Sequence, residues 1–292
     1  MHSSFVDTEI ASQPDTWRRA ADLVPAAADS LPRRGERVAV VGCGTSWFIA
    51  MSYAVLRETA GHGVTDAFAG SEFPRGREYD RVVAISRSGT TTEIVELLAA
   101  LAGTHTTLIT AVSGSPAAEN AEASVELPFA DERSVVQTRF ATSTLVLLRA
   151  HLGADVDALV ADGERALGVP VDDYLAADQT TFLGLGWAVG LTHEAALKTR
   201  EAAQYWSESY PAMDYRHGPI AIAQPGRLVW SLGAAPEGLV EEVESAGATF
   251  VRHDLDPLAG LVVAQRFAVA LAKARALDPD RPRSLTRSVI LA

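Results

Sequence analysis

The sequence predicts an α/β protein built around parallel sheets, and three observations lead to that fold class. From Arg37 onward, short β-rich runs alternate with helical patterns, as in VAVVG before WFIAMSYAVLRETA and RVVAIS before TEIVELLAALAG. The alternation resumes at Thr181 with TFLGLG, RLVWSLG and ATFVRH, so the second half reads as a shorter repeat of the first. Two of the strand-to-helix junctions are also rich in glycine and hydroxyl groups. Such alternation is typical of βαβ units.

Composition excludes several classes of protein. The chain has 292 residues, of which 48% are hydrophobic, and a formal charge of −12. That charge argues against a nucleic-acid partner, which usually needs clustered Lys and Arg. One cysteine cannot form an intrachain disulfide. With no secretion signal and no run of about 18 apolar residues, we expect a cytoplasmic protein without a membrane partner.

The first junction runs from the strand VAVVG through Gly42, Cys43, Gly44, Thr45 and Ser46 into a helix. A helix N-terminus attracts anions because its first amides lack partners and the helix dipole is positive there. The two hydroxyls are equally explained as ordinary helix caps. A dinucleotide site would need a third glycine where Trp47 stands. No base adjoins Cys43 in sequence, and we assign the thiol no chemistry.

The second junction gives a stronger indication of a phosphate site. Its five hydroxyls in seven residues exceed the one or two that a cap needs; they belong to Ser86, Ser88, Thr90, Thr91 and Thr92. Arg87 adds a guanidinium group, whose geometry suits a phosphate. The sequence therefore predicts that this loop binds a phosphorylated ligand.

A third segment carries ionisable groups. If residues 190–210 form one helix, a polar stripe about 80° wide results; its members are Glu194, Lys198, Glu201, Tyr205 and Glu208. A second polar stripe, including His193 and Arg200, would meet water. The alternative is a set of surface salt bridges. Two facts favour a cleft instead: Lys198 is one of only two lysines against 23 arginines, and His217 follows in DYRHGP.

These motifs together resemble the sugar isomerase (SIS) domain proteins, especially the isomerase half of glucosamine-6-phosphate synthase and its stand-alone relatives. The resemblance rests on the order of CGTS, SRSGTT, EAALKTRE and HGP along the chain. It implies two SIS domains, each a three-layer αβα sandwich with a flavodoxin-like parallel sheet. The expected boundaries are a helical lead-in at 1–36, domains at 37–152 and 179–292, and a connecting segment at 153–178. It also implies a homodimer that completes each site, without metal or cofactor.

The resemblance also implies roles for individual residues. Glu201 would be the base that transfers a proton between C1 and C2, His217 the ring-opening group and Lys198 an electrostatic group, with Glu208 behind them. The sugar phosphate would be bound by Ser86, Ser88 and Thr91, with Thr45 and Ser46 nearby, and the sugar bordered by Val135 and Gln137. The residues themselves add Arg87 in the loop and Glu194 on the polar stripe to this binding set. The segment ERSVVQTRFAT, which holds Val135 and Gln137, reads equally well as the start of an amphipathic helix.

Two positions depart from the family pattern. Arg87 replaces a common glutamine, and Arg287 stands where relatives have a lysine that contacts the sugar carbonyl or forms an imine. Arginine stays charged and is a poor nucleophile, so Arg287 can bind substrate but is not expected to form a Schiff base.

We therefore expect isomerisation or deamination of a hexose or amino-hexose 6-phosphate. With no N-terminal glutaminase domain or nucleophilic cysteine in the sequence, a stand-alone enzyme is expected. The alternative is a non-catalytic sugar-phosphate sensor, which would keep the phosphate loops and relax the catalytic set. A metal-dependent isomerase is disfavoured because the seven histidines lack ligand spacing.

Overall fold

The computed structural model describes residues 4–291, which form two compact units. The five-stranded unit comprises Asp15–Glu132, Arg139–Asp157 and the tail at 286–291. The four-stranded unit comprises residues 4–14, Arg133–Thr138 and Ala158–Leu285. Each unit therefore includes at least one short segment that is remote in sequence from its sheet.

The described residues contain helices and strands in alternation over most of the chain. The helices are α1 (Phe5–Ala11), α2 (Gln13–Asp22), α3 (Val24–Ala27), α4 (Thr45–Thr59), α5 (Thr92–Ala100), α6 (Pro116–Asn120), α7 (Arg139–His151), α8 (Val156–Gly168), α9 (Ala188–Ala203), α10 (Leu239–Ser245) and α11 (Pro257–Ala274). The strands are β1 (Val38–Gly42), β2 (Thr65–Ala69), β3 (Arg81–Ile85), β4 (Thr106–Thr110), β5 (Ala123–Glu126), β6 (Gln179–Gly184), β7 (Ser207–Pro211), β8 (Arg227–Leu232) and β9 (Thr249–Arg252).

The five-stranded sheet has the strand order β2-β1-β3-β4-β5, and all its pairs are parallel. This is the flavodoxin order. Its inner strands β1, β3 and β4 are buried along their whole length, as expected where helices cover both faces. Helices α5 and α6 cover one face, and α4 packs against β1, β2 and α7. The predicted α/β class, with parallel sheets in three layers, is confirmed.

The four-stranded sheet has the order β7-β6-β8-β9 and is also parallel throughout. An apolar cluster joins β6 and β8 to α10, with Leu183, Val229 and Val243 at its centre. Helix α9 packs against β6, β7 and the long helix α11. The helix that carries the predicted acid and base residues is thus fixed on two sides.

The prediction of a single helix over residues 190–210 is wrong. Helix α9 ends at Ala203, because Gln204 adopts a left-handed conformation with φ 50°. Tyr205 and Glu208 therefore leave the stripe. The second stripe does not simply meet water either: His193 lies 2.8 Å from the Ser209 hydroxyl, and Arg200 donates to the Ser207 carbonyl oxygen. Burial, with the nearby Arg200 charge, lowers the pKa of His193.

Helix α11 is long and apolar enough to cross a membrane by length and composition alone. However, 72% of that stretch is buried inside the protein. Packing against α9 and α1 accounts for its apolar character as that of a core helix.

Candidate functional site

Both predicted phosphate loops begin at one edge of the five-stranded sheet. Strands β1 and β3 are neighbours, and Gly42 pairs with Ile85, so the two strands end side by side. A Cβ atom on Gly42 would lie 2.5 Å from the carbonyl carbon of Ser46. Glycine is therefore required for helix α4 to start this close to its strand. The carboxyl edge of a parallel sheet is where ligands bind in open α/β folds.

The hydroxyl-rich loop after β3 is stabilised by its own side chains. The Ser86 hydroxyl accepts the Gly89 amide hydrogen at 3.2 Å, and the Ser88 hydroxyl accepts that of Thr90 at 3.2 Å. Both serines are buried. Each hydroxyl that accepts such a bond keeps its own hydrogen to donate. Gly89 has φ +63°, and a Cβ there would lie 1.9 Å from the Ser115 hydroxyl, so no other residue fits this turn.

Three backbone amides near the start of helix α5 stay available to a ligand. Among residues 4–291, no acceptor meets the N–H groups of Ser88, Thr91 and Glu93. The Thr91 side chain does not cap the helix either. Unbonded amides at a helix N-terminus, beside hydroxyl donors, form an environment suited to an anion.

In the first loop, two of the amides are occupied by hydrogen bonds within the loop. Ser46 donates its N–H to the Cys43 carbonyl oxygen at 3.2 Å, and Trp47 donates to that of Gly44 at 3.0 Å. Thr45 and Ser46 themselves are buried. Burial, reinforced by the charge of Glu93, raises the pKa of the Cys43 thiol to about 11. The thiol is therefore protonated near neutral pH and unsuited to act as a nucleophile.

Arg87 lies in the hydroxyl-rich loop, but its guanidinium group has protein partners. Its Nη1 lies 3.5 Å from Oε2 of Glu132, and its Nη2 donates to the Arg287 carbonyl oxygen at 2.9 Å. The side chains of Arg87 and Glu132 are 1% and 0% exposed. The other carboxylate oxygen of Glu132 accepts the Arg139 amide hydrogen at 2.9 Å. Glu132 thus neutralises the charge that the sequence assigned to a phosphate.

Arg287 is likewise bound to protein groups. Its guanidinium donates to the Asp131 carboxylate and to the Glu132 carbonyl oxygen. The tail continues across helix α5, where the Thr92 amide donates to the Val289 carbonyl oxygen at 3.2 Å. The Thr90 hydroxyl lies 2.9 Å from that of Ser288. The C-terminal tail therefore lies against the hydroxyl-rich loop within the five-stranded unit.

The acid and base residues lie in the four-stranded unit, on helix α9. The Lys198 ammonium is 2.5 Å from Oε2 of Glu201 and 3.4 Å from Oε1 of Glu194. Lys198 and Glu194 are 1% and 0% exposed, whereas the Glu201 side chain is 18% exposed. Of the three, Glu201 is the group most accessible to a substrate. The i, i+3 and i, i+4 ion pairs, which the sequence offered as a surface alternative to a cleft, are thus formed, but Lys198 and Glu194 in them are buried.

The segment Arg133–Thr138 is not helical, since α7 begins at Arg139. The buried carboxylate of Glu9 holds it, accepting the Arg133 amide hydrogen at 2.6 Å and hydrogen bonds from the Ser134 amide and hydroxyl. The side-chain carbonyl oxygen of Gln137 is buried, and it accepts no hydrogen bond from residues 4–291. A buried acceptor of this kind is suited to a ligand hydroxyl. Val135 is partly exposed beside it.

His217 ends a short 3-10 turn, Asp214–His217, and is exposed. Within the described part of the chain it forms no ion pair or hydrogen bond with Glu201, Lys198 or Glu194. Glu208 lies on β7, where it accepts hydrogen bonds from Trp206 and from Tyr210. No cluster of three or more metal-ligating side chains occurs among residues 4–291.

Sequence reasoning missed the acidic partners of the site. The sequence pattern marks Glu132 only as the first residue of ERSVVQTRFAT, and it gives no role to Asp131 or Glu9. A buried arginine needs a carboxylate partner, so a known burial of Arg87 would have indicated that such a partner exists. The sequence, however, does not indicate that Arg87 is buried.

Comparison with known proteins identifies the domain. Residues 33–152 match the family model described as the SIS domain. The match covers one stretch, so one SIS domain is shown and the prediction of two is corrected. The physical reason is that many α/β proteins contain a parallel sheet. A second alternation of strands and helices therefore does not by itself indicate a second SIS domain.

Two of the sequence relatives are isomerizing glutamine–fructose-6-phosphate aminotransferases. The chain is 28% identical over 98% of its length to the glutamine–fructose-6-phosphate aminotransferase (isomerizing) of Pyrobaculum aerophilum, and 29% identical over 87% of its length to that of Methanothermobacter thermautotrophicus. It covers 57% and 51% of those proteins, so the chain spans just over half of their length.

The structural relatives cover whole chains. The glucosamine-6-phosphate deaminase of Thermotoga maritima superimposes with a TM-score of 0.84 and 25% identity, covering 99% of this chain and 100% of that one. The tagatose-6-phosphate ketose/aldose isomerase of Escherichia coli gives 0.79 at 17% identity, covering 97% of each chain, and shows the fold alone. None of the relatives named here is described as a non-catalytic sensor.

The buried position of Lys198 leads to a stability prediction. In Lys198→Met, Glu194 stays buried without its ion-pair partner, so the free energy of unfolding should fall by about 3–5 kcal/mol. The double variant Glu194→Met/Lys198→Met removes both charges and should recover at least half of that loss. Urea denaturation measures both.

The other lysine supplies the control. Lys273 is 45% exposed and pairs with Asp7 at 2.5 Å, so Lys273→Met should cost about 1 kcal/mol or less. Equal costs for the two single variants would contradict the account of Lys198 as a buried counter-charge.

Proposed function

Because residues 33–152 match the SIS domain model, we propose that this chain acts on a hexose or amino-hexose 6-phosphate, by aldose–ketose isomerisation or deamination. The observation that carries the proposal is the loop after β3. It combines two buried serine hydroxyls with three amides that have no acceptor among the described residues. The names of a structural relative, a glucosamine-6-phosphate deaminase, and of the sequence relatives, isomerizing fructose-6-phosphate aminotransferases, support the substrate class.

In the proposed binding mode, Ser86, Ser88 and Thr91 hold the phosphate, with Thr45 and Ser46 close by. Hydroxyl and amide donors at a helix start recognise a dianion without a net positive side chain. Gln137 would accept a hydrogen bond from a sugar hydroxyl, because its buried carbonyl oxygen has no donor within residues 4–291. Val135 would contact the sugar through its partly exposed apolar surface.

Glu201 is the proposed proton-transfer base. Isomerisation moves a hydrogen between C1 and C2 of the opened sugar through an enediol, or an enolamine for amino sugars. The carboxylate would take the proton from one carbon and return it to the other. Lys198 orients it through the 2.5 Å hydrogen bond, and Glu194 balances the lysine's charge from the buried side.

His217 is the proposed ring-opening group, and a homodimer is proposed to complete each site. The supporting observation is that His217 is exposed and forms no side-chain hydrogen bond or ion pair with residues 4–291. An imidazole ring can both accept and donate a proton, so it could move one to or from the ring oxygen of the sugar.

The phosphate proposal predicts the effect of removing two hydroxyls. Ser86→Ala/Ser88→Ala loses two donors to a charged acceptor, each contributing about 1.5–3 kcal/mol. Binding of fructose 6-phosphate, measured by calorimetry, should weaken by at least tenfold. Ser245→Ala, an exposed serine in the other unit, is the control and should bind as wild type does. Unchanged affinity in a folded double variant would remove the loop from the site.

The base proposal predicts a selective loss of chemistry. Glu201→Gln keeps the shape of the side chain, so sugar phosphate should still bind, while exchange of the C2 hydrogen with deuterated water falls roughly 100-fold or more. NMR of the sugar measures the exchange. Glu208→Gln should exchange within a few-fold of wild type; the reverse pattern would make Glu208 the base.

The variant Glu201→Gln also tests whether a homodimer completes each site. If each site takes Glu201 and His217 from different copies, inactive Glu201→Gln and His217→Asn proteins should regain up to about a quarter of the wild-type rate when mixed and allowed to exchange subunits. A mixture that exchanges subunits and stays inactive would place both groups in one copy.

A further inference from the structure

The C-terminal tail and the hydroxyl-rich loop are joined by a continuous set of contacts inside the five-stranded unit. Besides the Thr92–Val289 hydrogen bond, the Leu291 amide donates to the Thr92 hydroxyl at 2.9 Å. The tail side chains Val289, Ile290 and Leu291 are exposed, so apolar burial contributes little to holding them. The tail must therefore be held mainly by polar contacts, and those that involve charged side chains lie at its start, around Arg287.

At that start, two arginines interlock with two acidic residues. Arg87 reaches Glu132 with Nη1 and the Arg287 carbonyl oxygen with Nη2. Arg287 reaches back to the Asp131 carboxylate and the Glu132 carbonyl oxygen. The main chain of Arg287 is thus bound by Arg87, and its side chain is bound by Asp131 and Glu132.

We propose that Arg87 is a positioning residue that ties the C-terminal tail to the hydroxyl-rich loop, and not a ligand of the phosphate. Its guanidinium is 1% exposed and is neutralised by Glu132, so it offers little charge to an anion. Its two terminal nitrogens serve different partners, a carboxylate and a carbonyl oxygen. A guanidinium can do this because its donors form a rigid fork, whereas a glutamine carries only one NH₂ group.

The consequence concerns the start of helix α5. While Arg87 holds Arg287, the Val289 carbonyl oxygen stays on the Thr92 amide, next to the amides of Thr91 and Glu93 that remain open. The tail thereby fixes one side of the loop. This consequence for ligand binding rests on the proposed function. The attachment of the tail to the loop by Arg87 does not.

Hydrogen exchange of the whole chain, measured without any ligand, tests whether Arg87 holds the tail against the loop. In Arg87→Gln, exchange in peptides covering 88–95 and 286–291 should quicken about tenfold, the factor expected when a charged donor's hydrogen bond is lost. Peptides covering β1 and β3 should exchange as in wild type. Arg75→Gln is the matched control, because Arg75 is exposed and its side chain forms no ion pair or hydrogen bond with residues 4–291.

Two further variants keep the test decisive. Arg87→Lys retains a charge beside Glu132 but lacks the fork, so tail exchange should still quicken while the urea midpoint changes little. If Arg87→Gln fails to fold, Arg87→Met/Glu132→Met removes both buried charges and should fold with a loosened tail. Wild-type exchange in the tail peptides of Arg87→Lys and the double variant would overturn the proposal. Because no substrate is used, failure of the proposed function would leave this result unaffected.

Discussion

The parallel register of β1 and β3 is the constraint on which the candidate phosphate site depends. Pairing of Gly42 with Ile85 ends both strands at one level, so the loops that follow them start side by side. The absence of a side chain at Gly42 lets helix α4 begin within contact distance of its strand. The sheet thus determines where the two loops lie, and the hydroxyl groups of the loops provide the hydrogen-bond donors.

Each unit also contains a buried, positively charged side chain that is paired with a carboxylate. Arg87 pairs with Glu132 in one, and Lys198 pairs with Glu194 and Glu201 in the other. Breaking such a pair is costly because one charge is left uncompensated away from water. Glu201, the partly exposed member of the second pair, is the one proposed to meet the ligand. The fully buried members of both pairs stabilise the framework around it.

The sequence predicted the strand-to-helix alternation well because buried parallel strands are nearly continuous apolar runs. It missed β5 and β7, which are short and only partly buried edge strands. The error at α9 has a specific cause: Gln204 takes a left-handed conformation for which glycine is the usual signal. The loop residues could be predicted from their hydroxyls, but the burial of Arg87 could not, because its partner Glu132 is 45 positions away in sequence.

The central claim is that the loop after β3 binds the phosphate of a sugar phosphate. The most direct measurement follows the amide resonances of ¹⁵N-labelled protein during titration with fructose 6-phosphate and, separately, with fructose. The account predicts saturable downfield shifts at Ser88, Thr91 and Glu93 with the phosphorylated sugar and none with fructose, since these amides would gain an anionic acceptor. Saturation by fructose 6-phosphate with all three amides unmoved would contradict it.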